Sequence, residues 1–362
     1  MKKNERILEV DLDAISNNVR IIKKYTGKKL LACVKCDGYG LGAVPISKKI
    51  EPLVDWFGTA TVEEGILLRK AGITRPILVL GPIRKDNIKN AISHRISITL
   101  PSQDFIDCIP LSENVSVHIK VDTGMGRIGI MPEDLYETVR RIKSRKNIKL
   151  EGIFSHLSDS ENPDRKFALE QVRIFRDVLK QIPAKWRTTT HIANSGGIIN
   201  VPESFKGFSM VRTGLLLYGV YPCLFLKTFK CLPSLKYAIC GSTEILFVRN
   251  VDAGTRLSYG GRFVCQKETR IGIAGIGYGD GLSRALSNNF YMKCRDSLLP
   301  IRGNICMDQT ILELNQNTEQ GDRVVFLDSE ISAEDMAEIS HTVPHEILTR
   351  FGISRMKKIY RG

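Results

Sequence analysis

Long apolar runs and a secretion signal are both missing from this sequence of 362 residues. No apolar stretch approaches the ~18 residues that a membrane-spanning helix needs, so we expect no membrane association. The first residues, MKKNERILEVDLDAIS, carry charges but lack the apolar core of a signal peptide. We therefore expect a cytoplasmic protein.

Paired cysteines and clustered histidines are also missing. The nine cysteines are scattered, odd in number and unaccompanied by an export signal, which indicates free thiols in a reducing compartment. Cys33 and Cys36 form a C-x-x-C, but a redox pair is typically found at the start of a helix, and Cys33 lies in an apolar strand-like run. With no second cysteine pair or histidine cluster nearby, we expect no metal site.

Acidic residues are fewer than basic ones, 39 against 53, and the net charge is +14. Such a balance raises the question of a nucleic-acid partner. The basic residues are dispersed, however, and no helix-turn-helix, zinc finger or aromatic RNA-binding motif accompanies them. We therefore expect no nucleic-acid partner and a modest attraction for anionic small molecules.

Short apolar runs alternate with amphipathic segments over the first two-thirds of the chain. The amphipathic segments 11–27, 61–72, 132–144 and 164–181 have the periodicity and end signals of helices. Eight strands that alternate with helices predict an α/β fold with a parallel (β/α)8 barrel, over residues 10–230. Beyond it, glycine-punctuated apolar runs predict a mainly β domain over 231–362. The eight predicted strands are 29–34, 56–60, 76–81, 96–100, 115–122, 150–157, 189–195 and 209–214.

Polar residues stand at the carboxyl ends of five of these strands. In a parallel barrel this end carries the active site. A single such residue has an ordinary structural explanation, but the joint pattern predicts a cationic mouth that suits an anionic ligand. The residues are Lys35, Lys120, Asp122, Arg127, His156, Asn194, Ser195 and Arg212.

The glycines after Lys35 permit a second interpretation. The run from Gly38 to Ala43 matches a loose G-x-G-x-x-A dinucleotide fingerprint between a strand and a helix. A dinucleotide-dependent oxidoreductase would also need an acid at the end of the next strand, where this chain has Gly-Thr-Ala. Glu63 and Glu64 already lie in the following predicted helix, so this hypothesis is the weaker one.

Lys35 itself suggests covalent chemistry. A desolvated lysine at a barrel strand end can bond to an aldehyde. A glycine-rich loop before a helix can hold a phosphate, and Tyr39 places a phenol near the same mouth. An aldehyde for the lysine and a phosphate for the loop together describe a pyridoxal phosphate (PLP) site.

The segment ACVKCDGYGLGA around Lys35 resembles the PLP-lysine motif of bacterial alanine racemases. Further segments match that family in order, among them VDLDAISNNVR, VHIKVDTGMGRIGI, HIANSGG and IRGNICMDQ. The resemblance implies a fold-type III PLP enzyme and a head-to-tail homodimer with shared active sites. It also implies that an amino-terminal strand, within residues 1–9, completes the β domain.

The resemblance assigns roles to individual residues. Lys35 and the partner subunit's Tyr259 match the two catalytic bases. Arg127, Tyr278 and Met307 match groups that meet the amino-acid substrate or line its entrance, and Lys120 matches a lysine that is carbamylated in some members. The residues that match cofactor-binding groups are Lys35, Tyr39, His156, Ser195, Arg212, Gly214 and Leu215.

The expected activity is interconversion of L- and D-alanine, which would supply D-alanine for cell-wall peptidoglycan. Two departures from the family leave alternatives open. Cys36-Asp37-Gly38 stands where Ala-Asn-Ala is usual, and a tyrosine found in some members near Ile353 or Ser354 is absent, which predicts extra room at the substrate pocket. Serine racemases share the fold, so serine remains an alternative substrate. A non-catalytic PLP carrier is disfavoured by the β domain with Tyr259.

Overall fold

The computed structural model describes residues 5–229, 231–232 and 235–362. The first part of the chain alternates strands with helices. Its helices are α1 (Leu12–Thr26), α2 (Lys35–Tyr39), α3 (Ala43–Ile50), α4 (Val62–Lys70), α5 (Ile88–Ser93), α6 (Leu135–Ser144), α7 (Lys166–Lys180), α8 (Ser195–Asn200) and α9 (Leu224–Lys227). Its strands are β1 (Ile7–Asp11), β2 (Lys29–Cys33), β3 (Trp56–Thr59), β4 (Ile77–Val79), β5 (Ser97–Leu100), β6 (Val115–Lys120), β7 (Ile148–Phe154), β8 (Thr189–His191) and β9 (Met210–Thr213).

Strands β2 to β9 form one parallel sheet in the order β8-β7-β6-β5-β4-β3-β2-β9. The two ends of this order meet, since Ser209 N donates to Thr190 O over 2.9 Å and Arg212 N donates to Ala193 O over 3.2 Å. The strands are short and apolar because both of their faces are covered, as in β4 and β5, where every residue is buried. The predicted (β/α)8 barrel is confirmed.

Several predicted strands end earlier in the structure than expected. The strand predicted over 150–157 ends at Phe154, and the one predicted over 189–195 ends at His191. Polar side chains explain the second difference, because Asn194 accepts a hydrogen bond from Gly197 N (2.8 Å) and so caps α8. The residues just past the strands therefore start loops or helices, where their side chains can face a ligand.

Helix α1 shows how local signals set the helix limits. Asp11 accepts a hydrogen bond from Ala14 N (2.8 Å) at the amino end, and Gly27 ends the helix in a left-handed conformation with φ 64°. Its buried side chains Ile15, Val19 and Ile22 repeat at helical spacing and face the barrel.

The rest of the chain is mainly β, as predicted. A six-strand path runs β15-β14-β17-β10-β1-β18, while β13 pairs with β10 and β16. The remaining elements are β10 (Ile239–Val251), β11 (Arg256–Leu257), β12 (Phe263–Val264), β13 (Thr269–Ala274), β14 (Tyr291–Cys294), β15 (Ser297–Pro300), β16 (Thr310–Glu313), β17 (Arg323–Leu327), α10 (Ala333–Ile339), α11 (Pro344–Gly352) and β18 (Lys357–Arg361).

Strand β1 lies in this second sheet, antiparallel to β10 and parallel to β18. The start of the chain thus pairs with its end. The predicted domain boundary at residue 230 and residues 1–4 lie outside the described residues, so the limits 10–230 and 231–362 stay a prediction. None of the helices in the described ranges is long and apolar enough to cross a membrane.

Candidate active site

A cavity of about 250 Å³ opens at the carboxyl end of the barrel strands. Many of the residues that line it lie at the ends of barrel strands or just past them, as the parallel barrel predicts. The cavity brings together nine of the residues singled out from the sequence: Lys35, Tyr39, Lys120, Arg127, His156, Asn194, Ser195, Arg212 and Gly214.

Lys35 projects from an unusual turn. In the segment Lys35–Tyr39, the φ angles of Cys36, Asp37 and Gly38 are 53°, 51° and 64°, all in the left-handed region. This conformation is strained for residues other than glycine, and it persists only where the surrounding structure holds it. Glu64 provides one such hold, since its Oε1 accepts Cys36 N (2.6 Å). The turn therefore sets the direction of Lys35 at the end of β2.

The carboxyl-terminal elements hold the same turn from the other side. The two oxygens of Asp37 accept Ala43 N (2.8 Å) and Lys358 Nζ (2.9 Å). A methyl group on Gly40 would lie 2.6 Å from Gly352 Cα, so the backbones of α2 and α11 touch directly. The turn is thus held from two sides, while Lys35, Cys36 and Asp37 themselves stay exposed in this protomer.

This packing contradicts the dinucleotide interpretation. A methyl group on Gly40 would meet Gly352, and one on Gly42 would meet the Tyr360 hydroxyl. The glycines therefore make room for α11 and β18 of the protein itself. A pyrophosphate would need that same space close to the loop backbone.

One end of the cavity gathers hydroxyl and amide groups. Ser195 Oγ lies 2.9 Å from Thr213 Oγ1, and Gly214 N donates to Ser195 Oγ over 3.4 Å. A methyl group on Gly214 would collide with the Tyr39 hydroxyl, which places that phenol at the same spot. Burial raises the pKa of Tyr39 well above its usual value, so the phenol remains a donor. Such donors suit a phosphate.

Arg212 also lines the cavity and is buried. Its guanidinium donates to Ser155 O (2.8 Å) and Ile192 O (3.1 Å), and it contacts the ring nitrogens His191 Nδ1 (2.7 Å) and His156 Nδ1 (3.0 Å). Burial lowers the pKa of Arg212 to about 10, which still leaves it charged at neutral pH. The two imidazoles accept from it, and this fixes their orientation.

The cavity is strongly cationic. Burial and then the nearby Arg212 lower the pKa of Lys120 to about 7. Burial and the same cations, led by Arg212, hold the pKa of His156 well below its usual value, so this imidazole is neutral. Among the lining residues that the structure describes, Glu161 is the only acid, and burial raises the pKa of its carboxyl group. The cavity therefore favours an anionic ligand.

Two ionisable residues of the cavity, His345 and Glu161, were not predicted from the sequence. His345 comes from α11, and its ring centroid lies 5.6 Å from that of Tyr39. Burial, with a contribution from Lys35, lowers its pKa to about 4. Glu161 follows β7 and bonds to Ser160 Oγ (3.0 Å). No local sequence pattern indicates a role for His345, because this residue reaches the cavity only through the packing of α11 against α2.

Five of the predicted residues do not line this cavity within one protomer. The exposed fractions of Tyr259, Tyr278 and Met307 are 73%, 44% and 54%. Leu215 is buried beside Gly214 and does not line the cavity, and Asp122 instead accepts the backbone N–H groups of its own loop, from Gly124 to Gly126.

The expectation of extra room near Ile353 and Ser354 stays a prediction. Both residues line a separate surface depression together with Tyr278, and Ile353 is 69% exposed. They follow the end of α11 and are not among the residues that line the cavity around Lys35 within one protomer. His345, from the same helix, is the residue that reaches the cavity.

The residues present fit pyridoxal phosphate. The donor cluster around Ser195 and Gly214 suits its phosphate, Lys35 suits its aldehyde, and Arg212 suits its ring nitrogen as a donor. Within the described residues we find no group of three or more His, Cys, Asp or Glu side chains that could hold a metal ion. All nine cysteines, including Cys33 and Cys36, are free thiols.

Barrel, second sheet and cationic cavity together define a (β/α)8-barrel enzyme with a carboxyl-terminal β part. Residues 10–222 match the family model for the alanine racemase N-terminal domain, and residues 239–360 match that for the C-terminal domain. The chain belongs to the alanine racemase family.

Individual relatives cover nearly the whole chain. It is 36% identical over 375 residues to alanine racemase 2 of Caldanaerobacter subterraneus subsp. tengcongensis, covering 98% of this chain and 95% of that protein. The crystal structure of alanine racemase from E. faecalis superposes with a TM-score of 0.92 at 30% identity, covering 99% of both chains. That from Bartonella henselae, described with covalently bound pyridoxal phosphate, gives 0.88 at 28% identity, also covering 99% of both chains.

Proposed function

We propose that this protein is a PLP-dependent alanine racemase that interconverts L- and D-alanine. The observation that carries this proposal is that Lys35, the donor cluster and Arg212 line one cationic cavity. The Bartonella relative that is described with covalently bound PLP supports the same cofactor here. D-alanine for peptidoglycan would be its product, and cytoplasmic localisation stays a prediction.

The cavity residues would hold the cofactor at three points. Lys35 would bond to its aldehyde, while Tyr39, Ser195 and the backbone of Gly214 and Leu215 would donate to its phosphate. When bound, PLP withdraws electrons from the α-carbon of an attached amino acid and so makes the α-hydrogen acidic. His156 would lie beside the ring.

Arg212 has a defined consequence in such a site. Its guanidinium is held by two backbone carbonyls and two imidazoles, and it stays charged. A charged guanidinium can only donate, so it would leave the cofactor's ring nitrogen without a proton. Without that proton the ring would draw electrons less strongly, so that Arg212 would favour return of the proton to the α-carbon over side reactions.

Racemisation needs two bases on opposite faces, because a single rigid base reaches only one face. We assign Lys35 to the proton of D-alanine and the partner subunit's Tyr259 to the proton of L-alanine. The exposure of Tyr259 is consistent with action across a homodimer interface. Arg127 in the cavity would meet the substrate carboxylate, helped by the partner's Met307 and with the partner's Tyr278 at the entrance.

The test combines cofactor and substrate. Protein reconstituted with PLP should be yellow, and borohydride should fix the cofactor on Lys35. A chiral assay should show alanine racemisation, with serine slower, and Tyr259→Phe should keep the colour while losing most activity. A colourless protein or label on another lysine would contradict the proposal, and serine turned over faster than alanine would make it a serine racemase.

A further inference from the structure

The backbone next to Tyr259 is strained, and hydrogen bonds from a residue distant in the sequence hold it. Ser258, directly before it, has φ 61° and ψ −175°, a left-handed conformation that a residue with a Cβ seldom adopts. The Tyr259 side chain is 73% exposed, so packing within its own chain does little to orient the ring. Its direction depends on the backbone turn from which it projects.

Two reciprocal hydrogen bonds tie this turn to one residue. Ser258 Oγ donates to the Asn304 carbonyl over 2.5 Å, and Asn304 Nδ2 donates to the Tyr259 carbonyl over 2.6 Å. Asn304 is buried, with 5% of its surface exposed. Asn304 therefore holds the turn at two points: its backbone carbonyl accepts from the Ser258 side chain, and its side-chain amide donates to the Tyr259 carbonyl. Together these bonds restrain the backbone on both sides of Tyr259.

The loop that carries Asn304 is itself anchored. Gly303 N donates to Asn288 Oδ1 (2.6 Å), and Ile305 N donates to Ser287 Oγ (3.0 Å). Gly303, with φ 74°, packs so closely that a methyl group there would lie 2.7 Å from Ser258 Cβ. The Asn304 amide is therefore presented from a rigid support, which is what a positioning group requires.

We infer that Asn304 is a positioning residue for Tyr259 in the racemisation reaction. Its amide N–H group holds the Tyr259 backbone so that the phenol points away from its own chain, toward the partner's cavity. This inference rests on the proposed two-base function. Asn304 touches neither substrate nor cofactor, so its effect reaches the reaction through Tyr259 alone.

The experiment uses PLP-loaded Asn304→Asp, which keeps the side-chain shape but replaces the N–H donor with an oxygen that faces the Tyr259 carbonyl. Exchange of the α-proton is followed by NMR in D₂O, separately for L- and D-alanine. We expect L-alanine exchange to fall about tenfold, since a donor to a buried carbonyl is lost. D-alanine exchange, which depends on Lys35, should change by less than about twofold.

Asn288→Asp is the matched control. It adds the same charge to the same region but keeps the oxygen that accepts Gly303 N, so exchange of both enantiomers should stay close to that of the unmodified enzyme. Asn304→Ala should reproduce the selective loss without a new charge.

Tyr259→Phe, measured in parallel, distinguishes failure of the positioning role of Asn304 from failure of the two-base function. If Tyr259→Phe selectively slows L-alanine exchange while Asn304→Asp slows both enantiomers or neither, the positioning role is wrong and the two-base function stands. If Tyr259→Phe itself shows no preference for L-alanine, the two-base assignment is wrong, and the role of Asn304 falls with it.

Discussion

At the scale of single residues, the barrel interior holds several neutral histidines. Burial lowers the pKa of His118 to about 4 and, with the help of Arg212, holds that of His191 well below its usual value. His118 Nδ1 lies 3.1 Å from His191 Nε2, and His191 in turn contacts Arg212. These rings act as hydrogen-bonding groups that support Arg212, and protonating them would place further positive charge beside it.

Acidification should therefore destabilise the protein. Between pH 6.5 and about 4 the unfolded chain protonates His118 and His345 while the folded chain does not. The unfolded state binds more protons in this window, so the free energy of unfolding falls as the pH falls. Urea unfolding at a series of pH values should show this decline, and His345→Phe should make it shallower by up to about one proton.

A flat profile between pH 6.5 and 4 would show that these histidines are protonated in the folded state. A slope that His345→Phe leaves unchanged would show that the other buried histidines account for the whole effect.

At the scale of elements, the left-handed turn α2 is held between the barrel and α11. Two kinds of contact hold it, an ion pair and a direct backbone contact. The Asp37–Lys358 pair is partly solvated, with side chains 55% and 22% exposed, and such pairs contribute about 0–1 kcal/mol. The Gly40–Gly352 contact is a close packing of two main chains, which cannot yield without moving a helix.

Substitutions at these two contacts should therefore differ sharply in their effect on the free energy of unfolding. Asp37→Asn keeps an oxygen for Ala43 N and should lower the free energy of unfolding by less than about 1 kcal/mol. Gly352→Ala puts a methyl group against the Gly40 backbone and should cost about 1–3 kcal/mol, and it should also weaken PLP binding because Lys35 shares the turn.

Urea unfolding and PLP titration of the apoprotein measure both quantities. Equal losses from the two substitutions, or normal PLP affinity in Gly352→Ala, would show that α11 does not set the turn.

At the scale of the whole molecule, the cavity and Tyr259 lie on different parts of one chain. Tyr259 follows β11, close to the β12 strand with which β11 forms a small two-stranded sheet apart from the barrel. Under the proposed two-base function, a second copy would complete a site that needs both Lys35 and Tyr259. Each homodimer would hold two sites, each with a lysine from one protomer and a tyrosine from its partner.

Mixing two inactive variants tests this arrangement. Lys35→Ala and Tyr259→Phe protomers, each with little racemase activity, should recover part of it once mixed dimers form, because one of the two sites in such a dimer is intact. Mixed dimers should be verified by differently tagged protomers. Verified mixed dimers without activity would show that both residues act within one chain.

Most barrel strands and the residues after them were predictable because their signals are local. Apolar runs bounded by polar residues mark buried parallel strands, and the carboxyl ends of those strands meet at one mouth. Five strand-end residues could therefore be assigned to one site from the sequence: Lys35, Lys120, His156, Ser195 and Arg212. Predicted strands extended too far where a side chain, such as that of Asn194, instead caps the following helix.

What the sequence by itself determined was the barrel, the mainly β part and the cationic set of strand-end residues. Tertiary structure alone decided which distant segments complete the site: His345 beside Tyr39, Lys358 on Asp37, and Asn304 on Tyr259. The physical reason is the distance along the sequence over which each signal acts. Periodicity and capping report on neighbours within a few residues, whereas these contacts join segments whose approach depends on how whole sheets and helices pack.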